Sequence, residues 1–253
     1  MNNVILSAKD ISKSFAHEGG QIHVISHLDL DIYDKDFTVI MGASGSGKST
    51  LLYALSGMDK PTMGSVFYNN LDLVKIKEVE LSKLRCNDFG FIFQQMHLVS
   101  NLSLFENITV AGYLNKNKTS AEVNKKANGL IELMNISHVK KHFPSQVSGG
   151  EQQRCAIARA VINEPKIVFA DEPTGALNKN NTIEVLNLLT NLNNNGQAIL
   201  MVTHDVRAAL RANRVIYLED GKIKGEIKLP PYSIETEKSR EAQLNSWLSS
   251  MKW

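Results

Sequence analysis

The sequence predicts an α/β fold in which a mostly parallel sheet is covered by helices and interrupted by an inserted helical region. Short, continuously apolar segments such as Phe37–Met41 and Ala198–Val202 alternate with segments of helical periodicity, which is typical of strands buried on both faces. Between about Gln95 and Glu164, apolar residues recur only at helical spacing. The chain has 253 residues, enough for one domain with a subdomain.

Individual elements follow from local patterns. Strands are expected where β-branched or apolar residues lie between polar turns, at residues 4–6, 28–32, 37–41, 66–68, 89–93, 166–170, 198–202, 214–218 and 222–228. Helices are expected at residues 48–56, 78–85, 180–192 and 206–212, besides those of the inserted region. After Pro230-Pro231, apolar residues at helical spacing predict an amphipathic helix that packs either on its own domain or on a partner.

Composition narrows the class of protein. The 28 Lys and Arg residues nearly balance 26 Asp and Glu residues, which argues against a large basic face for nucleic acid. The two cysteines, Cys86 and Cys155, lie far apart and favour a reduced intracellular protein. Residues 1–7 contain no basic segment before a long apolar run, so no signal peptide is expected. Apolar stretches are too short to cross a bilayer, which predicts that any membrane role comes through a partner.

A glycine-rich segment after residues 37–41 has the spacing of a phosphate-binding loop, G-x-x-x-x-G-K-[ST], and leads into an expected helix. Glycines let successive N–H groups turn towards an anion, and the helix N-terminus adds a positive dipole. Lys48 can reach the outer phosphates, and the Ser49 hydroxyl can serve magnesium. The expected nucleotide-binding residues are Gly42, Ser44, Gly45, Ser46, Gly47, Lys48, Ser49 and Thr50.

Two further segments carry chemistry. Asp171 and Glu172 follow an apolar strand, where Asp171 can hold the metal and Glu172 can orient and deprotonate an attacking water. A second glycine-rich phrase offers backbone donors to an anion at the start of a helix, and its residues are Ser148, Gly149, Gly150 and Glu151.

With these motifs in this order, the sequence resembles the ATP-binding subunit of an ABC transporter from about Leu6 to Ile223. The resemblance implies a P-loop NTPase fold with a RecA-like parallel core, an antiparallel β subdomain and a helical subdomain. Residues 1–229 would form the ATPase domain, with 1–94 and 165–229 as core, 95–164 as helical subdomain and 230–253 as extension. By resemblance, Phe15 stacks on adenine and His204 contacts the γ-phosphate.

The resemblance also implies a cofactor and partners. Catalytic roles fall to Glu172, His204, Gln94 and Lys48, and Mg²⁺ would be held by Ser49, Gln94 and Asp171. Residues 148–151 would complete the ATP site of a second copy, so a head-to-tail dimer around two ATP is expected. The other partner would be a membrane permease of FtsX/MacB or bacitracin-permease type, which places the protein at the cytoplasmic face of the membrane without nucleic acid.

The subfamily is indicated by several phrases, among them Phe169-Ala-Asp-Glu-Pro-Thr-Gly175, which resemble MacB/LolD-type ATPases. Ala43 and Gly175-Ala176-Leu177 favour the branch that confers resistance to antimicrobial peptides such as bacitracin and lantibiotics. Asn178 departs from the family, which usually has aspartate there, and we expect slower or altered hydrolysis.

Other functions within the family remain open. The alternatives are an FtsE-like ATPase of the cell envelope or division, and an efflux ATPase for haem, lipoprotein or macrolide. An ABC ATPase that acts on nucleic acid or the ribosome is disfavoured, because the chain has one cassette, no long heptad insert and no cysteine cluster.

Overall fold

The computed structural model describes residues 3–17 and 19–253 and divides into two compact units. The first unit comprises Met1–Leu81 and Gly196–Trp253, and the second comprises Ser82–Asn195. Met1 and Asn2, which belong to the segment used to predict that a signal peptide is absent, lie outside the described residues. The boundaries 95–164 of the predicted helical subdomain follow from helical periodicity in the sequence, not from compactness. They stay a prediction.

The elements alternate between strands and helices along the chain. The strands are β1 (Val4–His17), β2 (Gly20–Tyr33), β3 (Phe37–Met41), β4 (Met63–Tyr68), β5 (Leu71–Asp72), β6 (Phe89–Ile92), β7 (Ile167–Asp171), β8 (Ala198–Val202), β9 (Arg214–Glu219) and β10 (Lys222–Lys228). The helices are α1 (Lys48–Leu55), α2 (Glu78–Asn87), α3 (Leu104–Tyr113), α4 (Ser120–Leu133), α5 (Gly149–Val161), α6 (Lys179–Asn194), α7 (Val206–Ala209) and α8 (Glu237–Ser250).

The first unit contains strands of two kinds. An antiparallel four-stranded sheet has the order β2-β1-β4-β5. Beside it, β3 pairs in parallel with β8 and with β9, and β10 closes antiparallel on β9. Every residue of β3 and β8 is buried, as their continuous apolar sequences predict.

The β1–β2 hairpin is longer than the sequence predicted. Each strand has 14 residues, and the pairing runs from Val4 opposite Tyr33 to His17 opposite Gly20. Register shifts between Ala8 and Ile11 and on to Lys13 break the regular alternation of inward and outward residues. The two-residue period that reveals a strand in sequence is lost there, so the sequence predicts strands only at 4–6 and 28–32.

In the second unit, β6 and β7 pair in parallel and helices form the remainder. Three helices begin with capping boxes, in which a hydroxyl and a glutamate each accept a backbone N–H of the first turn: Ser103 and Glu106, Thr119 and Glu122, Ser148 and Glu151. The helical character predicted for the inserted region is therefore supported by local capping residues as well as by periodicity.

The C-terminal helix α8 packs on its own unit, one of the two predicted alternatives. Leu244 and Leu248 are buried, and the Trp253 ring meets Tyr217 edge-on at 5.9 Å. Arg240 is 1% exposed and donates hydrogen bonds to the carbonyl oxygens of Leu210, Ala212 and Pro230. Within the described ranges, no helix combines the length and apolar character needed to span a membrane.

Helix α7 ends earlier than the predicted 206–212. After Ala209, the N–H groups of Arg211 and Ala212 bond three residues back, to Ala208 and Ala209. The guanidinium of Arg240 donates hydrogen bonds to the Leu210 and Ala212 carbonyl oxygens. The segment continues as a tightened turn whose final acceptors are satisfied by a side chain.

Candidate functional site

The predicted phosphate loop lies between β3 and α1 in the first unit. Gly45 and Gly47 have φ angles of +82° and +97°, a left-handed conformation that glycine adopts without steric cost. A Cβ atom at Gly42 would lie only 2.2 Å from the Leu218 carbonyl oxygen. Gly47 is the N-cap of α1 and, having no side chain, makes no capping hydrogen bond to the first turn.

Lys48 and Ser46 define the interior of this loop. The Lys48 ammonium donates to the carbonyl oxygens of Gly42 at 2.8 Å and Ala43 at 2.9 Å, which holds it along the loop. The Ser46 hydroxyl is buried and has no hydrogen-bond partner among the residues that the structure describes. A buried polar atom without a partner is costly, and a phosphate oxygen would satisfy it. The loop therefore fits a nucleotide phosphate.

Two more predicted residues lie in the first unit. The Phe15 side chain on β1 is 45% exposed, so it is a surface ring rather than part of the core. The Lys13 ammonium lies 5.0 Å from its centroid and is itself held by Asp59 at 2.7 Å. His204 is exposed at the end of β8, next to Asp205, whose side chain caps α7.

In the second unit, β7 ends in the two predicted carboxylates. Asp171 is buried, and Glu172 has a φ of +43°, which is strained for a residue with a side chain. The Glu172 carbonyl accepts the Gly175 N–H at 3.0 Å and so starts a tight turn. Residues 172–178 are called the carboxylate turn below.

Residues 148–151, called the signature turn below, open α5. The Ser148 hydroxyl donates to Glu151 at 2.7 Å and accepts the Glu151 N–H at 3.4 Å. The hydrogen bond from the Ser148 hydroxyl lowers the pKa of Glu151 below its ordinary 4.5, so this carboxylate is charged at neutral pH. His138 lies 3.0 Å from the other oxygen of Glu151. Ser148 and Gly149 remain exposed, whereas Gly150 is buried.

Close glycine contacts join three segments of the second unit. A Cβ atom at Gly150 would lie 2.4 Å from the Asn181 amide, and one at Gly175 would lie 2.9 Å from Gln94 Nε2. One at Gly149 would lie 3.8 Å from Leu177 and 4.0 Å from Met96. The signature turn, the carboxylate turn and residues 94–99, called the Gln94 loop below, therefore pack together.

Asn178 is the N-cap of α6, and its side chain accepts the Asn181 N–H at 3.0 Å. Aspartate would make the same bond, so this departure from the family pattern keeps the helix start and changes only the charge.

The structure also contains residues that sequence reasoning missed. Asn107 is fully buried on α3 and bonds with the backbone of Val99, Leu102 and Ser103, at the end of the Gln94 loop. Gln153 and Arg159 of α5 donate to backbone carbonyls of the same region. Bonds to backbone atoms leave no motif, so only the unusual burial of polar residues in a helix could have pointed to them.

The predicted site residues thus form two groups. The first unit contains Phe15, His204 and residues 42–50, whereas the second contains Gln94, Asp171, Glu172 and the signature turn. Ser49, Gln94 and Asp171 offer a hydroxyl, an amide oxygen and a carboxylate, the oxygen ligands that Mg²⁺ prefers. This set of residues and this fold define a nucleotide-hydrolysing α/β protein.

Comparison with known proteins narrows this class. The sequence profile of the ABC transporter family matches residues 25–175. The chain is 39% identical over 223 residues to the lipoprotein-releasing system ATP-binding protein LolD of Buchnera aphidicola subsp. Schizaphis graminum (strain Sg), covering 88% of this chain and 97% of LolD. It is 38% identical over 219 residues to the macrolide export ATP-binding/permease protein MacB 1/2 of Paracoccus denitrificans (strain Pd 1222), covering 87% of this chain but 33% of MacB.

Among solved structures, the ATP-binding cassette MJ0796, a dimer in a post-hydrolysis state with ADP and Pi, aligns with a TM-score of 0.83. It is 35% identical, and the alignment covers 90% of this chain and 100% of that one. The chain therefore belongs to the ABC transporter family, as an ATP-binding and ATP-hydrolysing cassette. The predicted fold class is confirmed, and the LolD and MacB relatives agree with the predicted subfamily.

Proposed function

We propose that two copies of this protein close head to tail around two ATP molecules and thereby drive a membrane permease of MacB/LolD type. The observation that carries the proposal is the construction of the signature turn. Within this turn, Gly150 is buried against the Asn181 side chain. Ser148 and Gly149 are exposed at the N-terminus of α5, the positive end of the helix dipole. An exposed anion-binding turn on a capped helix suits a phosphate brought by a second copy.

Each copy would bind its own ATP through the phosphate loop. In this proposal Phe15 stacks on adenine, Lys48 neutralises the outer phosphates, and Ser44, Ser46 and Thr50 contribute hydroxyls. The unpartnered Ser46 hydroxyl supports this assignment. ATP would stabilise the closed dimer because it binds that state more tightly. Once ATP is cleaved to ADP and phosphate, this stabilisation would be lost and the dimer would open.

Hydrolysis would use residues of both groups. Glu172 orients a water molecule and accepts its proton as the oxygen attacks the γ-phosphorus and ADP leaves. His204 contacts the γ-phosphate and positions it for that attack. Magnesium, when bound by Ser49, Gln94 and Asp171, would neutralise charge on the phosphates.

The permease partner would hold the protein at the cytoplasmic face of the membrane. The names of LolD and MacB, a lipoprotein-releasing ATPase and a macrolide exporter, support an export or force-transmitting role. Within that role we propose resistance to antimicrobial peptides, on the residues Ala43 and 175–177. Deleting the gene should sensitise cells to bacitracin or a lantibiotic but not to a macrolide; the reverse pattern would overturn this assignment.

The dimer is tested by the variant Glu172→Gln, which binds ATP but removes the proton acceptor. We expect light scattering to show a stable dimer with saturating ATP and Mg²⁺, and a monomer with ADP. The matched control adds Ser148→Arg, which places a large side chain at an exposed position and blocks the signature turn, at the cost of the capping bond to the Glu151 N–H. That double variant should bind ATP as a monomer. If Glu172→Gln itself stays monomeric with ATP, with or without the permease, the two-site mechanism is wrong.

A further inference from the structure

Helix α5 brackets Gln94 with two side chains, the buried Gln153 and the half-buried Arg159. Gln153 donates to the Phe93 carbonyl at 3.3 Å, one residue before Gln94. Arg159 donates to the Met96 and His97 carbonyls, each at 2.7 Å, two and three residues after Gln94. The same helix starts at the signature turn. Helix α5 therefore begins at the signature turn and also holds the backbone on both sides of Gln94.

The chemistry of Arg159 suits this task. Its planar guanidinium presents fixed donors to two successive carbonyls at once, a geometry that a lysine ammonium on a flexible stem does not reproduce. Burial lowers the pKa of Arg159, which means that the charged form is kept there at a cost. Among the described residues, Arg159 makes no ion pair with a carboxylate. Its contacts are with the Gln94 loop.

The loop itself needs such support. His97 has a φ of +47°, a strained conformation for a residue with a side chain, and its ring packs edge-on against Phe93 at 5.4 Å. Gln94 lies against Gly175, where an added Cβ atom would lie 2.9 Å from Gln94 Nε2 and would push this amide aside. Strain at His97 persists only if neighbouring contacts enforce it, and the two short bonds from Arg159 do so.

We propose that Arg159 is a positioning residue for Gln94 and ties the setting of this glutamine to the signature turn. The inference rests on the proposed function, because it takes Gln94 as a magnesium ligand. Movement of the signature turn on engaging a second copy would be passed along α5 to the Gln94 loop. The hydrogen bonds of Arg159 go to the backbone of the Gln94 loop, outside the proposed phosphate-binding residues, so its loss should alter turnover and metal requirement while ATP binding persists.

The experiment compares Arg159→Lys with Arg154→Lys. Arg154 lies on the same helix and is buried, whereas Arg159 is half-buried. Arg154 pairs with Glu184 of α6 at 2.5 Å instead of the Gln94 loop. Turnover, its dependence on Mg²⁺ concentration and ATP binding are measured for each. We expect Arg159→Lys to lower turnover and raise the half-maximal Mg²⁺ concentration by roughly tenfold, the usual scale for residues that orient metal ligands. Arg154→Lys should leave the Mg²⁺ requirement at the wild-type value.

Two further readouts separate positioning from a general loss of stability. Arg159→Lys in a Gln94→Ala background should cause no additional loss of turnover, because both changes act through the same side chain. Without nucleotide or metal, deuterium uptake at residues 94–98 should rise in Arg159→Lys but not in Arg154→Lys. Multiplying losses in the double variant, or unchanged uptake in the loop, would overturn the proposal. If wild-type protein shows no Mg²⁺-dependent turnover, the proposed function fails instead, and the uptake experiment still reports on the loop.

Discussion

The two glycine-rich segments each open a helix, yet different physical demands select their glycines. In the phosphate loop, Gly45 and Gly47 adopt left-handed backbone angles, and no side chain caps α1. In the signature turn, no glycine is left-handed, a capping box satisfies the helix start, and Gly150 is required by close packing. The glycines of the first segment are therefore selected by backbone conformation, whereas Gly150 of the second is selected by packing, with Ser148 and Gly149 exposed beside it.

The largest expected effect concerns Gly42. In Gly42→Ala the new Cβ would collide with the Leu218 carbonyl at 2.2 Å, and neither β3 nor β9 can shift without losing its pairing. We expect a loss of about 3 kcal/mol in the free energy of unfolding, the upper range for overpacking, together with loss of ATP binding.

The control for this prediction is Gly45→Ala. Nothing lies within 4 Å of its Cβ, so only the left-handed backbone resists the change at a cost of about 1–2 kcal/mol. Urea unfolding measures both variants. Equal losses would contradict the view that collision, rather than backbone conformation, fixes position 42.

The signature turn should show the opposite dependence. Gly150→Ala forces the Asn181 amide aside and should cost about 1–2 kcal/mol. The neighbouring Gly149→Ala meets only ordinary contacts at 3.8 Å and should be neutral or stabilise by about 0.5 kcal/mol. Adding Asn181→Ala to Gly150→Ala removes the colliding atoms and should restore part of the loss. Similar costs at both glycines would show that packing against α6 does not select Gly150.

Asn178 tests whether the carboxylate turn needs a cap or a charge. Asn178→Ala should destabilise the protein by about 1 kcal/mol, since α6 loses its N-cap bond. Asn178→Asp keeps the bond and should retain stability while turnover increases, because the predicted slowing arises from the missing charge. Unchanged turnover in Asn178→Asp would make the charge irrelevant. Thermal unfolding and phosphate release measure the two effects separately.

The smallest effect is a pH dependence of stability that arises at the capped helix starts. Hydrogen bonds from the capping residues lower the pKa values of three glutamates below their ordinary 4.5: Glu106, Glu122 and Glu151. A depressed folded pKa gives stability that is present above pH 4.5 and lost as the pH falls through the folded value. Glu151→Gln should therefore flatten the fall in unfolding free energy below pH 4.5. An unchanged acid slope would argue against the capping role.

Much of the fold follows from the sequence because its strongest signals are local. β3 and β8 are buried throughout, so their apolar sequences suffice, and the phosphate loop is recognised because its chemistry requires glycines, lysine and serine at fixed spacing. The extent of β1 and β2 could not be predicted, because register shifts near Ala8 and Ile11 remove the period on which the prediction depends.

The supporting residues of the site are harder to foresee. Arg159 and Asn107 act on carbonyl and N–H groups that every residue possesses, so sequence spacing does not reveal their partners. The packing of Gly150 on Asn181 likewise depends on how two helices meet, which is a tertiary property. Residues whose functional groups bind or react can be predicted from sequence motifs. Residues that support a backbone segment through hydrogen bonds or packing cannot.

Helix α8 has a practical consequence for anyone who shortens the chain to its cassette. Cutting near Pro230 would strip the Leu210 and Ala212 carbonyls of their arginine donor and uncover the apolar surface beneath Leu244 and Leu248. Such a fragment should be prone to aggregation even though every nucleotide motif is intact. A poor yield would then reflect the loss of the helix that covers the hydrophobic core, not a defective ATP site.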